Sequence, residues 1–425
     1  MLNKILQKKE PLFHIVKRTS LPIWKSSLFR VAAIILGLFL GCIILWICND
    51  ANPIAVISEL WVGNFGSTRK AWITVRETSL LLITALALIP AFKMKFWNLG
   101  GNGQILISAL VSIICMKYMG EAGIDDWIII VVMTFCSILA GAIWAVIPAI
   151  FKAFFNTNES LFTLMMNYIA TGLVALFLAI AIKSGSGVMP AISTGMFPQV
   201  IEKSGSAFFP LIFAIVIFGL IYVYLRFLKH GYELDVVGES QNTARYIGIN
   251  VKLVVIRTVA LSGALCGVVG LLLSGAINGS INANSAKDLG FTAIMASWLG
   301  KFNPFYMIIT SFFISFLNNG MSQVQMTFGI QNDAIAKVVI GLIYFCVIGV
   351  EFFVSYQIVP TKNKKAKNVE TKTDNVQPIL ETNAIDSLPT EEQQVENDIT
   401  NSSESEVETN DEISVDETEE NKEEK

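Results

Sequence analysis

The sequence predicts an all-α protein, a polytopic membrane helix bundle of about ten transmembrane helices that ends in a disordered acidic tail. Three observations carry the prediction. Hydrophobic residues make up 53% of the chain and mean hydropathy is +0.58, above the range of soluble globular chains. Apolar runs of about 20 residues recur, each long enough to cross a hydrocarbon core roughly 30 Å thick. The net charge of −3 is also sharply divided: residues 369–425 hold 19 Asp/Glu against 3 Lys, which leaves 28 Lys/Arg against 15 Asp/Glu elsewhere.

Residues 1–30 form a basic segment with Lys4, Lys8, Lys9, Lys17, Arg18, Lys25 and Arg30. The run "VAAIILGLFLGCIILWIC" follows. It is long and has no small-residue cleavage site after it, so it reads as an uncleaved first span rather than a signal peptide. Further spans are expected at 78–93, 98–118, 127–150, 161–182, 207–228, 251–275, 289–302, 304–321 and 333–356, the eighth of the ten being short. The membrane body is thus 31–356. Residues 50–77 read as an outer amphipathic segment lying on the membrane surface. Residues 183–206, rich in Gly, Ser and Pro, read as an outer loop, and 229–250 as the longest inner loop. Residues 357–425 form the tail, acidic from about 369, with too few apolar side chains to bury a core.

Orientation follows from the cations. With the N-terminus inside, 20 Lys/Arg fall on the inner side and eight on the outer. The positive-inside rule then places both termini in the cytoplasm.

Several chemistries are excluded. There is no GxxxxGK[ST], HExxH or GxSxG motif, and only His14 and His230 are present. No catalytic or metal-binding set is expected. The six cysteines all sit in apolar runs without CxxC spacing, as small buried hydrophobes do. Few ionisable residues fall inside the spans, Glu159, Glu351 and Lys337 lying near predicted ends, which argues against a self-powered ion-coupled carrier. No cofactor is expected in this chain.

Three constellations remain. In the inner loop, "LDVVGESQNTARYIGI" contains Gly238, Glu239, Ala244, Arg245 and Gly248. A short helix can be capped by Ser240 and end at Gly248, as a force-receiving element or as a plain connection. Second, the spans carry uncharged amides: Asn98, Asn102, Gln104, Asn167, Asn318 and Asn319, with Gln323 and Gln325 nearby. Amides in hydrocarbon need partners, so these face the bundle interior or a wet cavity, either as interhelical glue or as contacts for a neutral polar solute. Third, the glycine-interrupted break at 98–104 after span two has a counterpart in "SGAINGSINANSAKDLG" (274–290) after span seven. Paired breaks of this kind in inverted halves mark a substrate path.

Four segments carry a family resemblance. "FWNLGGNGQILISAL" resembles the FNIGxEGQxxxGA signature of permeases from bacterial ABC importers for nucleosides, within the wider branched-chain amino acid and ribose permease superfamily. "NESLFTLMMNYIA" is similar to that group's NExxxTLMLNYIA, "VVGESQNTARYIGINV" to its cytoplasmic VGxNxxAAxYxGI loop, and "GFTAIMASWLGKFNP" to its GxxxIxVAxLxxxNP. They occur in family order. The sequence departs from the pattern at Asn102, where the family has Glu, at Ser240 and Thr243, and at Ser297 and Trp298.

The resemblance implies a multi-pass permease subunit of a bacterial plasma membrane, in contact with membrane lipid. It would pair with a second homologous permease, a cytoplasmic ABC ATP-binding protein that uses the ATP, and an extracytoplasmic substrate-binding lipoprotein. The substrate would be a nucleoside, the inner loop would couple to the ATPase, and no nucleic-acid partner is expected. The alternatives are a permease for a pentose or other small neutral solute, or a stand-alone channel or secondary carrier.

Overall fold

The computed structural model describes residues 13–17, 22–182, 189–200 and 205–360. The expectations for residues 1–12, 18–21, 183–188, 201–204 and 361–425 lie outside the described residues, while 357–360, expected in the tail, belong to a strand. The described chain is helical: α1 (Ile23–Asn49), α2 (Pro53–Phe65), α3 (Thr68–Lys93), α4 (Gly101–Glu121), α5 (Asp126–Phe155), α6 (Glu159–Ala181), α7 (Phe208–Phe227), α8 (Lys229–Glu239), α9 (Gln241–Tyr246), α10 (Val251–Leu271), α11 (Leu289–Leu299), α12 (Pro304–Phe328) and α13 (Asp333–Ser355). One antiparallel pair of strands, β1 (Phe13–Lys17) and β2 (Tyr356–Pro360), adds to the all-α expectation. β1 precedes α1 and β2 follows α13, so both ends of the body leave the bundle on one face.

Among the described residues, eight helices are long and apolar enough to cross a membrane. All ten expected spans coincide with helices, the remaining two being α11, with 11 residues, and α12, whose C-terminal half is polar. Burial sorts the spans. The hydrophobic windows of α3 and of α10 with its extension are 78% and 72% buried, and that of α4 is 56% buried. The windows of α1, α5, α6, α7 and α13 are at most 28% buried and turn apolar side chains outward, as lipid-facing helices do. The centre is therefore α3, α4 and α10. In α3 every residue from Ser79 to Phe92 is buried.

Small residues let these helices approach. A Cβ on Gly263 of α10 would strike the carbonyl of Gly141 on α5, and one on Gly267 would lie 2.7 Å from the Ser137 carbonyl. At the periphery Gly37 and Gly41 of α1 form a GxxxG face, and a Cβ on Gly37 would lie 2.9 Å from Ile343 Cα of α13. Membrane helices pack through such faces because lipid gives them little hydrophobic drive to associate.

Two expectations change. Residues 50–77 do not simply rest on the surface: α2 buries Val56, Leu60 and Asn64, and Gly63 meets Gly320 of α12 with 3.0 Å from its would-be Cβ to the Gly320 Cα. Residues 68–77 already belong to α3. The inner loop contains a second helix, α8, that the glycines Gly231 and Gly238 concealed.

Candidate functional site

The break after α3 is a tight turn, and its amides absorb the backbone groups that the turn frees. Asn98 is fully buried. Its Oδ1 accepts from Gly100 N at 3.0 Å and from Gln104 Nε2 at 3.2 Å, and its Nδ2 donates to Ser262 Oγ at 3.2 Å. Across the turn, Thr163 Oγ1 of α6 accepts from Leu99 N at 3.1 Å. Asn167 then clamps both sides: its Nδ2 donates to the Leu99 carbonyl at 2.9 Å and its Oδ1 accepts from Gly103 N at 2.8 Å. Buried backbone groups demand such partners, since each unpaired one costs about 1–3 kcal/mol.

The second break is a π-helical extension of α10, Leu272–Asn278, which ends at Gly279 in the left-handed region, φ 60°. Lys287 and Asp288, also left-handed at φ 44° and 55°, lead into α11. The two breaks, distant in sequence, meet. Asn102 Oδ1 accepts from Gly290 N at 2.7 Å and Asn102 Nδ2 donates to Asp288 Oδ1 at 3.4 Å. A Cβ on Gly290 would lie 2.5 Å from Asn102 N, so the first turns of α4 and α11 touch backbone to backbone. This also accounts for the amide at 102: a glutamate there would set a second carboxylate against Asp288, whereas asparagine donates to it.

The junction bounds a cavity of about 1060 Å³, as large as small-molecule sites usually are. Of the six amides expected on a path, Asn102, Asn167, Asn318 and Asn319 line it. Asn98 and Gln104 do not, because their amides face each other and Ser262 behind the turn. The lining also includes five charged residues outside the expected set, Arg76, Glu77, Lys287, Asp288 and Lys337, of which Lys287 and Asp288 fall in the second break. Arg76 is paired with Glu77 at 2.9 Å and donates to Ser206 Oγ at 3.0 Å. The adjacent "RE" within a largely uncharged helix was the available signal.

Away from the cavity, the turn carries aromatic rings. Trp97 lies tilted against Trp298 with centroids 5.5 Å apart, and Phe92 lies 5.6 Å from both Trp97 and Phe302. Trp298, one of the departures from the family pattern, thus packs on the turn itself.

Helices α8 and α9 dock on the same turn. Gly238 of α8 lies so close to the carbonyl of Lys93 that a Cβ would collide with it, and Met94 Cα would be 3.3 Å away. Lys93 pairs with Asp235 of α8 at 2.9 Å, and Arg257 of α10 pairs with Glu233. Ser240 caps α9, its Oγ accepting from Thr243 N at 3.2 Å. Ala244 is fully buried in a small core with Ala91, Met94 and Phe96, and Gly248, φ 85°, follows the end of α9. Glu239 and Arg245 are exposed, as are Tyr232, Tyr246 and Ile247. Partial burial, with Arg257 and Lys229 nearby, holds the His230 imidazole below its ordinary pKa.

The family described as "Branched-chain amino acid transport system / permease component" matches residues 72–348. The chain belongs to this family. It is a permease component of an ABC transporter and a multi-pass membrane protein. Among its relatives, the nucleoside ABC transporter permease protein NupB of Lactococcus lactis is 25% identical over 364 residues, covering 82% of this chain and 97% of the relative. The guanosine ABC transporter permease protein NupP of Bacillus subtilis is 25% identical, with 78% and 94% covered. The glucose ABC transporter permease protein TsgB13 of Haloferax volcanii is 26% identical, with 80% and 92% covered. No solved structure matches the chain significantly.

Proposed function

We propose that this permease carries nucleosides inward as one of two permease subunits of an ATP-driven importer. A cytoplasmic ATPase would bind α8 and α9, and an extracytoplasmic receptor would deliver the substrate. The observation that carries this reading is the cavity, whose wall includes Asn102, Asn167, Asn318 and Asn319 and whose boundary is formed where the α4 and α11 N-termini meet. Amides in the wall suit a polar solute bearing hydrogen-bond donors and acceptors.

Coupling follows from contact. Gly238 bears on Lys93 and Met94 without an intervening side chain, so movement of α8 passes directly into the turn before α4. That turn holds the α4 N-terminus against α11 at the cavity. Nucleotide-driven displacement of α8 and α9 would therefore separate or close the two helix starts, a rigid-body gating of the permease. Gly238, Glu239, Ala244, Arg245 and Gly248 are assigned to this coupling element: the exposed Glu239 and Arg245 to the partner's side, and the rest to the joint.

A sugar is the second reading, favoured by the glucose permease relative at comparable identity. The test is uptake by proteoliposomes holding this chain with its candidate permease partner, ATPase and receptor, across guanosine, adenosine, uridine, ribose and glucose. Nucleoside uptake that needs ATP supports the proposal. Sugar uptake alone would favour the second reading.

A further inference from the structure

The cavity's amides differ in how they are held. Asn102 and Asn167 have both ends of their amides engaged, to Asp288 and Gly290 and to Leu99 and Gly103 respectively. Asn319 lines the cavity and has one end of its amide bonded to Thr74, at 3.3 Å. Which end is fixed is decided two residues away.

Asn64 of α2 is fully buried. Its amide nitrogen faces two carbonyls, Leu60 O and Phe316 O, each at 2.9 Å. Carbonyls only accept, so the nitrogen must stand there and Oδ1 must face the other way. In that direction lies Thr74 of α3, 1% exposed, whose hydroxyl is 2.9 Å from Asn64 Oδ1 and 3.2 Å from Lys70 O. Both neighbours are acceptors, so the single hydroxyl proton goes to one of them and none is left for Asn319. The contact between Thr74 Oγ1 and Asn319 Nδ2, 3.3 Å long, is therefore donated by asparagine. Asn319 Oδ1, on a residue that lines the cavity, is left as the end of the amide that Thr74 does not hold.

We propose that Asn64 and Thr74 are positioning residues that set Asn319 as a hydrogen-bond acceptor toward the cavity, so that the permease favours solutes presenting an N–H or O–H donor there. The inference rests on the nucleoside reading and names the group that would be read, an amino or imino N–H of the base or a hydroxyl of the ribose. A site built to bond a donor rejects the analogue lacking it, because its own acceptor is then left unpaired.

The test is competitive ATP-dependent uptake by the full reconstituted importer. The pairs are guanosine against inosine, adenosine against purine riboside, and guanosine against its 2′- and 3′-deoxy forms. Wild type prefers the donor-bearing member in at least one pair. Thr74→Val, nearly isosteric, lowers that ratio about tenfold by freeing the amide to turn, while uptake of the donor-lacking member is unchanged. Thr74→Ser restores the ratio. Asn319→Leu lowers it equally, and the Thr74→Val/Asn319→Leu double variant lowers it no further, which separates positioning from general destabilisation.

Unchanged ratios in Thr74→Val and Asn319→Leu, with uptake intact, would overturn the relay alone. So would a wild type that discriminates in no pair. If Thr74→Val does not reach the membrane, Asn319→Leu decides. Absence of any nucleoside uptake by the wild-type importer would overturn the nucleoside reading and the proposal together.

Discussion

The amides around the first break divide by what their atoms touch. Asn98 and Gln104, 0% and 1% exposed, hold the turn and do not line the cavity. The double substitution Asn98→Leu/Gln104→Leu leaves Gly100 N and Ser262 Oγ without their partners, so we expect a lower thermal midpoint in detergent with nucleoside preference unchanged. Asn167 lines the cavity and clamps the turn, so Asn167→Leu should lower both stability and uptake. The sequence showed that amides interrupt the spans, because polar groups in apolar runs are conspicuous. It did not show which of them are used up internally, because that depends on Ser262 and Thr163, far away along the chain. The cavity's charges were hidden for a similar reason: Arg76 and Glu77 read as an outer boundary, while their partner Ser206 lies 130 positions from Arg76.

At the scale of elements, the long apolar helices were legible from length and hydropathy, and α9 from its serine cap and closing glycine. Helix α8 was not, since Gly231 and Gly238 weaken a local helical pattern. Gly238 is there for contact: its missing Cβ lets α8 sit on the Lys93 carbonyl. Gly238→Val should uncouple the importer, cutting ATP-dependent uptake more than about tenfold while the protein still inserts. Measurement of uptake beside ATPase activity distinguishes this from misfolding. The Lys93–Asp235 pair is partly exposed, and such pairs contribute little stability. Asp235→Ala should therefore leave the thermal midpoint within about 1 °C of wild type. At the junction of breaks, Gly290→Ala places a methyl 2.5 Å from Asn102 N. Separation of α4 from α11 should then abolish most uptake, read in the same assay.

For the whole molecule, the two breaks were visible in the sequence as separate glycine-rich interruptions, and their likeness suggested a shared path. Their meeting through Asn102 and Gly290, 188 positions apart, brings cavity, turn and α8 into one line of contacts. The pairing of β1 with β2 brings the two ends of the body together. Within that frame the chain carries a cavity among its described residues, and the sequence holds no nucleotide-binding loop. The central claim is that a partner's ATP drives nucleosides through this cavity. It is tested most directly by guanosine uptake into proteoliposomes containing this chain with its permease partner, ATPase and receptor, with and without internal ATP. The account predicts accumulation against a gradient only with ATP and all subunits, lost in Gly238→Val. Equal guanosine uptake without ATP, or by this chain alone, would contradict it.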